Sequence, residues 1–265
     1  MTSLNTLEGR IEYIKTRNRK IGSLRASATE LDINLVNECI RTVIDEYVKN
    51  STIQYMANII KEETINNYRF KAIRLNIIID RNKYLAPDYE WGIFFSDIGR
   101  AIARGENKHL NRRISNVAVD SEMIISCENP DFNIINKGIQ ILLEKNIKPD
   151  VMLLPIELYV NFVKKFRDKL DWKRKEHPTQ LDLEGCKINV FWSNKYSPLK
   201  NVFILNANSG KWHVLGDEGS NKNITVAIGK SEKDNKKVEI FTETLVYYHI
   251  TNKNAFIKIN LSEMD

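Results

Sequence analysis

A succession of strand-like segments in the C-terminal part constrains the fold of this 265-residue chain more than any other feature. Segments rich in β-branched and aromatic residues follow one another from Cys186 onward, with turn-forming residues between them. In the longest, Val238 and Ile240 alternate with Glu239 and Glu243, which predicts that the two glutamates lie on a solvated face. The predicted strands cover 186–192, 201–205, 212–215, 224–228, 238–250 and 256–261.

The region before these strands mixes helical and extended patterns. Apolar residues repeat at helical spacing over 31–48, behind Thr29 and with Asp32 as its capping-box partner, and predict an amphipathic helix. Residues 69–80 alternate apolar and polar side chains, as a strand does. The sequence therefore predicts a helix followed by a strand in its first third.

Ser96 is predicted to cap a further helix that runs through Leu110. Gly99 and Gly105 each weaken that helix by up to about 1 kcal/mol relative to Ala. Residues 171–185 are charged and lack periodicity, which predicts an exposed loop. The other predicted elements are a helix with Pro130 in its first turn that ends near Asn146, a buried strand over 151–154 and a helix over 159–170. Helices thus precede sheet in an α+β arrangement.

Composition places the chain among folded globular proteins, because 42% of its residues are hydrophobic and 28% are charged. No stretch approaches the roughly 18 apolar residues of a membrane span, and no export signal is visible. Cys39, Cys127 and Cys186 are too few for a disulfide framework and leave a free thiol. These observations predict a protein of a reducing compartment, such as the cytoplasm, without a membrane partner.

The excess of positive charge is concentrated at the N-terminus. Of the net charge of +6, the first 25 residues carry +4, because six basic residues there face only Glu8 and Glu12. A basic arm of this kind binds anions such as nucleic acid through counterion release, or it forms one solvated face of a helix. The six residues are Arg10, Lys15, Arg17, Arg19, Lys20 and Arg25.

Catalytic and metal-binding patterns are missing from the sequence. The four histidines are dispersed, without Cys, Asp or Glu at the spacing of a metal site. Gly229-Lys230-Ser231 imitates the end of a phosphate-binding loop, but the first glycine is absent and the segment follows a strand without opening a helix. We therefore expect a protein that is not an enzyme and that has no metal and no cofactor.

The C-terminal segment 238–259 resembles the closing strands of encapsulins, shell proteins that share the tailed-phage capsid fold. It has a long strand with Thr242-Glu243-Thr244 at its centre, an Asn-x-x-Ala turn over 252–255 and a final apolar strand. Other segments resemble family elements in the same order. They are 29–47 for the N-terminal lumenal helix, 70–84 for the strand returning from the extended loop, 98–111 for the following helix, and 129–154 for the spine helix and the strand after it.

The resemblance implies an α+β, encapsulin-like fold in which the extended loop is short, since few residues separate Val48 from Phe70. The expected division begins with a basic N-terminal arm over 1–28, which is longer than the resemblance requires. A helix over 29–50 and the extended loop with its return strands over 51–95 follow. A peripheral domain with the spine helix over 96–150, an axial domain over 151–235 and closing strands over 236–265 complete the division.

The function implied is that of a structural protein that assembles with copies of itself into an icosahedral shell around cargo protein or nucleic acid. Such a shell would lie in the cytoplasm, or in a virion if the chain is a viral capsid protein enclosing DNA. By position, the loop after Asp171 would line the axis or pore of the shell. The loop residues concerned are Trp172, Lys173, Arg174, Lys175, His177, Asp182 and Glu184.

A third interpretation comes from another class of protein. Trp172 is followed by three cations, Lys173 to Lys175, and this patch together with the N-terminal arm would suit a monomer that binds or processes nucleic acid.

Overall fold

The computed structural model describes residues 6–55, 59–61, 70–84, 91–171, 179–193, 198–215 and 223–261. The chain divides into two compact units. Unit 1 comprises Met1–Ser51, Ile60–Glu106 and His213–Tyr247, and unit 2 comprises Thr52–Ile59, Asn107–Trp212 and Tyr248–Asp265.

The helices are α1 (Leu7–Ala28), α2 (Ile33–Asn50), the short α3 (Arg81–Tyr84), α4 (Trp91–Ser115), α5 (Phe132–Glu144) and α6 (Tyr159–Phe166). The strands are β1 (Ile59–Lys61), β2 (Lys71–Asp80), β3 (Ile124–Cys127), β4 (Val151–Leu154), β5 (Thr179–Leu183), β6 (Cys186–Trp192), β7 (Val202–Leu205), β8 (Gly210–Leu215), β9 (Thr225–Ser231), β10 (Asp234–Ile250) and β11 (Phe256–Leu261).

The sheet of unit 1 is organised around β10, which pairs antiparallel with β2 on one side and with β9 on the other. One face of this sheet packs against α2 and α4. Its core includes Val43 and Tyr47 from α2, Phe95 and Ile102 from α4, and Ile240 from β10, all of them buried. The alternation in β2 and β10 therefore supplies one apolar face, as the period of a strand requires.

Two glycines allow α4 to approach its neighbours closely. A Cβ atom at Gly99 would overlap the carbonyl oxygen of Val43 in α2, and one at Gly105 would overlap the Ile73 side chain in β2. The helix begins at Trp91, so the prediction that Ser96 caps it is wrong. The rings of Trp91 and Phe95 lie 5.7 Å apart, and this packing favours helix ahead of Ser96.

The N-terminal region is helical, with a break where the sequence predicts a cap. Thr29 follows the last residue of α1, so it does not begin the next helix. Asp32 caps α2 instead, since its side chain accepts hydrogen bonds from the backbone nitrogens of Asn34 at 3.0 Å and Leu35 at 3.3 Å. The 1–28 segment is therefore a helix through most of its length.

Unit 2 contains a sheet in the order β3-β11-β7-β4-β6-β5, with β3 parallel to β11 and β4 parallel to β6. Helices α5 and α6 pack on it through buried apolar side chains such as Ile139, Leu142 and Phe166, which meet Ile204 and Ile257 of the strands. Asp131 caps α5 by accepting a hydrogen bond from the Ile134 nitrogen at 2.9 Å. Pro130 consequently precedes the cap rather than occupying the first turn.

Residues 171–185 are only partly the exposed loop that the sequence predicts. Thr179–Leu183 forms β5, which pairs antiparallel with β6 and buries Leu181 and Leu183. The turn to β6 places Glu184 at φ 50° and Gly185 at φ 69°. An edge strand thus replaces the end of the predicted loop, because its alternate side chains reach the core.

Several predicted elements are confirmed. The bounds of β4, β6 and β11 are those predicted, and β9 ends in a hairpin, which confirms that Gly229-Lys230-Ser231 opens no helix. All three cysteines are free thiols, and burial raises the pKa values of Cys127 and Cys186. Within the described residues, no helix has the length and hydropathy that a membrane span requires.

Candidate functional site

The N-terminal helix α1 is the candidate site, because it carries the six basic residues that the sequence singled out. It begins behind Thr6, whose hydroxyl accepts a hydrogen bond from the Gly9 nitrogen at 3.1 Å. The residues of its buried face recur at helical spacing, and this face packs on β9 of unit 1. They are Arg10, Arg17, Ile21, Leu24 and Ala28.

The C-terminal half of α1 lies very close to β9. A Cβ atom at Gly229 would overlap the Leu24 carbonyl oxygen and the Ser27 hydroxyl oxygen. The Lys230 nitrogen donates to that hydroxyl at 2.9 Å, and the Lys230 ammonium pairs with Glu30. Gly229 and Lys230 therefore allow α1 to pack closely on β9. This packing gives a structural reason for the short motif that resembles the end of a phosphate-binding loop.

The N-terminal half of α1 is held by a buried ion pair. The Arg17 Nε atom lies 2.6 Å from Glu243 Oε2, and the two side chains are 3% and 0% exposed. Arg17 Nη2 also donates to Thr225 Oγ1 at 2.6 Å, and Arg74 Nε donates to Glu243 Oε1 at 2.9 Å. The Tyr13 hydroxyl donates to the same carboxylate, so several donors compensate the buried charge.

Aromatic rings complete this polar cluster. The Arg74 guanidinium lies 5.0 Å from the centre of the Tyr13 ring and 5.1 Å from that of Phe241. Burial, and then the charge of Glu243, raises the pKa of Tyr13 well above its usual range. We call Tyr13, Arg17, Arg74, Thr225 and Glu243 the α1 polar cluster.

The prediction that Glu239 and Glu243 lie on a solvated face is wrong. Glu239 is 6% exposed and Glu243 is 0% exposed. The alternation of β10 does place both on one face, but α1 covers that face and supplies Lys20 to Glu239 and Arg17 to Glu243. A strand pattern alone does not reveal a charged face that a helix from the other end of the chain buries.

The six basic residues of α1 fall into two groups. Arg10 and Arg17 are buried, and Lys20 is half-buried with its ammonium 2.5 Å from Glu239. Lys15, Arg19 and Arg25 are exposed on the other face. Contact with an anionic partner therefore stays a prediction for Lys15, Arg19 and Arg25. The other three basic residues face the sheet.

A third buried carboxyl group lies in unit 1, at Glu106 of α4. It is 0% exposed and accepts hydrogen bonds from the Tyr47 hydroxyl at 2.8 Å and the Ser51 hydroxyl at 2.9 Å. Burial raises the pKa of Glu106 to about 7, although the hydrogen bonds from Tyr47 and Ser51 lower it. The sequence analysis missed this residue, whose only signal is an acidic side chain between apolar helix positions.

The predicted axis loop is described in part. Trp172, Lys173, Arg174, Lys175 and His177 lie outside the described residues. Asp182 is exposed on β5, and Glu184 is exposed in the following turn, where its carboxylate accepts a hydrogen bond from Gln140 Nε2 at 3.0 Å. The structure therefore places two of the seven residues, both at the edge strand of unit 2. Their part in an axis or pore stays a prediction.

Unit 2 presents a group of exposed apolar side chains around α6. Val160 is 58% exposed, and Ile156, Tyr159 and Phe132 are 40–43% exposed. The rings behind them form a continuous series, since Tyr159 lies 5.0 Å from Trp192 and Phe162 lies 5.4 Å from Trp192 and 4.3 Å from Phe166. We call Phe132, Ile156, Tyr159 and Val160 the α6 apolar surface.

Among the described residues, no group of three or more His, Cys, Asp or Glu side chains is arranged to hold a metal ion.

The fold is similar to that of solved virus-like particle, encapsulin and phage proteins. A virus-like particle protein from Pyrococcus furiosus superimposes with a TM-score of 0.55 at 11% identity, over 83% of this chain and 96% of that one. The SrpI encapsulin of Synechococcus elongatus PCC 7942 gives a TM-score of 0.50 at 12% identity, over 75% and 76% of the two chains. A protein of Mycobacterium phage Che8 gives 0.51 at 10% identity, over 81% and 90%.

At these identities the likeness shows the fold. The expected α+β fold of tailed-phage capsid and encapsulin shells is confirmed. No protein-family model matches the chain, and no curated protein sequence does either.

Proposed function

We propose that this chain is a structural shell subunit that assembles with copies of itself into a closed icosahedral, encapsulin-like compartment. The observation that carries the proposal is the shared fold, which extends over 83% of this chain and 96% of a virus-like particle protein. A fold alone does not determine function, but here the neighbours with encapsulin, virus-like particle and phage capsid descriptions agree on one structural role.

The α6 apolar surface supports the same proposal. Exposed Val160 and Tyr159 leave apolar area in contact with water, and burial against another subunit would recover about 25 cal/mol for each Å². Heterologous contacts of this kind generate closed shells when their rotations close around symmetry axes. The subunit has no chemistry of its own in this proposal, and its partners are other copies and the enclosed cargo.

Three regions singled out in the sequence would have separate roles in the proposed shell. The exposed Lys15, Arg19 and Arg25 of α1 would face the contents, and the segment 171–185 with Asp182 and Glu184 would lie near an axis. The segment between Val48 and Phe70 would serve as a short extended loop at the subunit boundary. The assembled shell would reside in the cytoplasm.

A second candidate function is a virus-type capsid protein that encloses DNA in a virion. It is favoured by the likeness to the Che8 phage protein and to the capsid of cyanophage P-SCSP1u, which gives a TM-score of 0.50 at 10% identity. The two candidates differ in their contents. Nuclease-protected DNA in purified particles would favour the capsid, whereas protein cargo would favour the compartment.

Negative-stain electron microscopy and analytical sedimentation of the purified chain test the proposal. We expect uniform closed particles, and a species that sediments as a 30.8 kDa monomer under all conditions tried would refute it. Val160→Asp should retain the circular dichroism of the wild type but lose particles, because it places a charge on the α6 apolar surface. Asn161→Asp is the matched control, since it adds the same charge at the neighbouring exposed polar position and should still assemble.

A further inference from the structure

Strand β2 lies at an edge of the unit 1 sheet. It is 10 residues long and pairs with β10 without a break in register from Lys71 to Asp80. It stands at the end of the strand order, and among the described residues no strand pairs with its other side. Natural edge strands are usually short, or they carry proline or a bulge that blocks pairing with another chain. β2 is long and has neither, so its outer edge is open to strand pairing.

The apolar face of this sheet is incomplete at β2. The core-facing residues of β10 are 0–1% exposed, whereas the residues directly opposite them in β2 are only partly buried, although they pack against the same core. A further strand beside β2 would cover these side chains. The four opposed pairs, with the β10 residue first, are Val238 and Ile79, Ile240 and Ile77, Thr242 and Leu75, and Thr244 and Ile73.

We propose that β2 pairs antiparallel with β2 of a second copy of this chain, around a two-fold axis that passes at Ile77. Strand addition gains affinity from main-chain hydrogen bonds and specificity from the opposed side chains. In this register Leu75 lies opposite Ile79 of the second copy, and Ile77 lies opposite its own equivalent. The apolar face would then continue from one copy into the other.

Charge selects this register among the two-fold pairings. On the other face of the sheet, it places Arg74 opposite Asp80 of the second copy, and the symmetry repeats this pair. Opposite charges on directly opposed residues stabilise a strand pair, and like charges destabilise it. A pairing centred on Asn76 would instead place Lys71 opposite Arg81 of the second copy, so that two cations would meet.

The two charged groups of this pair are accessible. Asp80 is exposed, and Lys237, which lies opposite it on β10, pairs with Asp234 at 3.5 Å. The Arg74 side chain is 39% exposed, and the α1 polar cluster around it has two guanidinium groups for one carboxylate. A strand of an unrelated protein would gain the main-chain hydrogen bonds but not the two reciprocal charge pairs. A second copy is therefore the partner that fits.

Within a shell, this contact rests on the proposed function, because an icosahedral assembly places isologous contacts on its two-fold axes. It would name one interface of that shell, separate from the α6 apolar surface. The pairing itself requires two copies and no closed particle, so it can be tested on chains in any state of assembly.

A cysteine at the axis tests the pairing. Directly opposed residues of antiparallel strands have Cα atoms about 4.5–5.5 Å apart, which a disulfide can span. We expect Ile77→Cys to form a covalent dimer under mild oxidation, seen by non-reducing gel electrophoresis and reversed by a reductant. Ile79→Cys is the matched control on the same face, since its equivalents would be four positions apart, about 14 Å, and should not join. Wild type, oxidised in parallel, accounts for the three native cysteines.

A mixture of two variants repeats the test at exposed positions, in case a smaller side chain at Ile77 impairs folding. Asn76 and Ile78 are exposed and would lie opposite each other across the two copies. Asn76→Cys mixed with Ile78→Cys should therefore give more covalent dimer than either variant alone. Circular dichroism verifies that each variant is folded.

Asp80→Lys in the Ile77→Cys background tests the charge pairs. It places a cation opposite Arg74 of the second copy and should reduce dimer formation by about threefold or more. Glu38→Lys makes the same change in charge at an exposed position of α2 and should leave dimer formation unchanged. An equal effect of both substitutions would overturn the proposed register.

The outcomes separate this inference from the proposed function. Particles without a covalent dimer from Ile77→Cys or from the mixture, or equal dimer from Ile79→Cys, would overturn the β2 pairing and leave the shell standing. Such a result would mean that the same chain or another protein covers the edge. Covalent dimers without particles would support the pairing and contradict the shell function alone.

Discussion

Unit 2 joins its helices to its sheet through apolar side chains, whereas in unit 1 buried ion pairs join α1 to its sheet beside the apolar contacts of Ile21 and Leu24. In unit 2, Ile139 and Leu142 of α5 lie against Ile204 and Ile257. In unit 1, α1 covers the sheet face that does not pack against α2 and α4. There Arg17 pairs with Glu243, and Lys20 pairs with Glu239. An apolar core tolerates substitutions that conserve side-chain volume. A buried ion pair leaves an uncompensated charge when one member is removed. The two units should therefore respond differently to mutation.

Ile257→Asp should have the largest effect. Ile257 is 0% exposed within the apolar core of unit 2, and an unpaired carboxylate there should cost about 5 kcal/mol, enough to abolish folding. Urea unfolding followed by circular dichroism measures the loss. Asn161→Asp, which adds the same charge at an exposed polar position, should keep a transition close to that of the wild type. A wild-type midpoint for Ile257→Asp would contradict the described core.

Glu243→Ala tests the buried ion pair of unit 1. It leaves Arg17 buried without its carboxylate, and we expect a loss of about 3–5 kcal/mol in the free energy of unfolding. Replacing both partners, as in Arg17→Met/Glu243→Leu, should recover part of that loss. A double-mutant cycle from urea titrations measures the coupling.

The control for the Glu243 prediction is Lys20→Ala. The Lys20 side chain is 33% exposed, so solvent screening limits its pair with Glu239 to about 1 kcal/mol or less. If Glu243→Ala costs no more than Lys20→Ala, the α1 polar cluster does not hold the helix.

Glu106→Gln should reveal a pH dependence within unit 1. The folded-state pKa is raised from 4.5 to about 7, so the folded chain binds the proton more tightly than the unfolded chain does. The contribution of Glu106 to the free energy of unfolding is fully present below pH 4.5. It decreases as the pH rises to about 7 and then stays constant. Gln lacks the titration, so the variant should gain about 3 kcal/mol on the wild type across this window.

Free energies of unfolding at pH 4.5 and pH 7.5 measure this gain, with the pH values chosen on either side of the window. Glu38→Gln, at an exposed position of α2, should show the same difference from wild type at both pH values. A constant difference for Glu106→Gln as well would show that the carboxyl group is not titrating in the buried site.

A pair of glycine substitutions should give the smallest effects. Gly229→Ala forces the Leu24 carbonyl away from β9 and should cost about 1–3 kcal/mol. Gly22→Ala has open space on α1 and should stabilise the helix by up to about 1 kcal/mol. Thermal unfolding distinguishes the two directions. Similar shifts for both variants would mean that α1 is not seated on β9.

The sequence predicted those elements that bury apolar side chains against local or apolar partners. The run Val151–Leu154 and the alternation in 256–261 identified β4 and β11 with their observed bounds. Strand β5 was missed, because its five residues adjoin a charged segment and gain their order from pairing with β6 and from the turn at Glu184. Local patterns do not contain that information.

The candidate site was less predictable than the fold. The alternation in β10 separates Glu239 and Glu243 from the apolar face, but it does not say whether water or another element covers them. The partner of Glu243 is 226 residues distant in sequence, so only the folded chain reveals it.

The long separation between Arg17 and Glu243 sets an order of events during synthesis. A ribosome that adds about 5–20 residues per second needs roughly 10 to 45 s to pass from one residue to the other, given their separation of 226 positions. Throughout that delay the guanidinium of Arg17 has no Glu243 carboxylate to pair with, although β9, which receives the other half of α1, is made shortly before. Synthesis of β10 as far as Glu243 is therefore the earliest point at which the ion pair can form, and a chain interrupted before Glu243 would leave Arg17 without that partner.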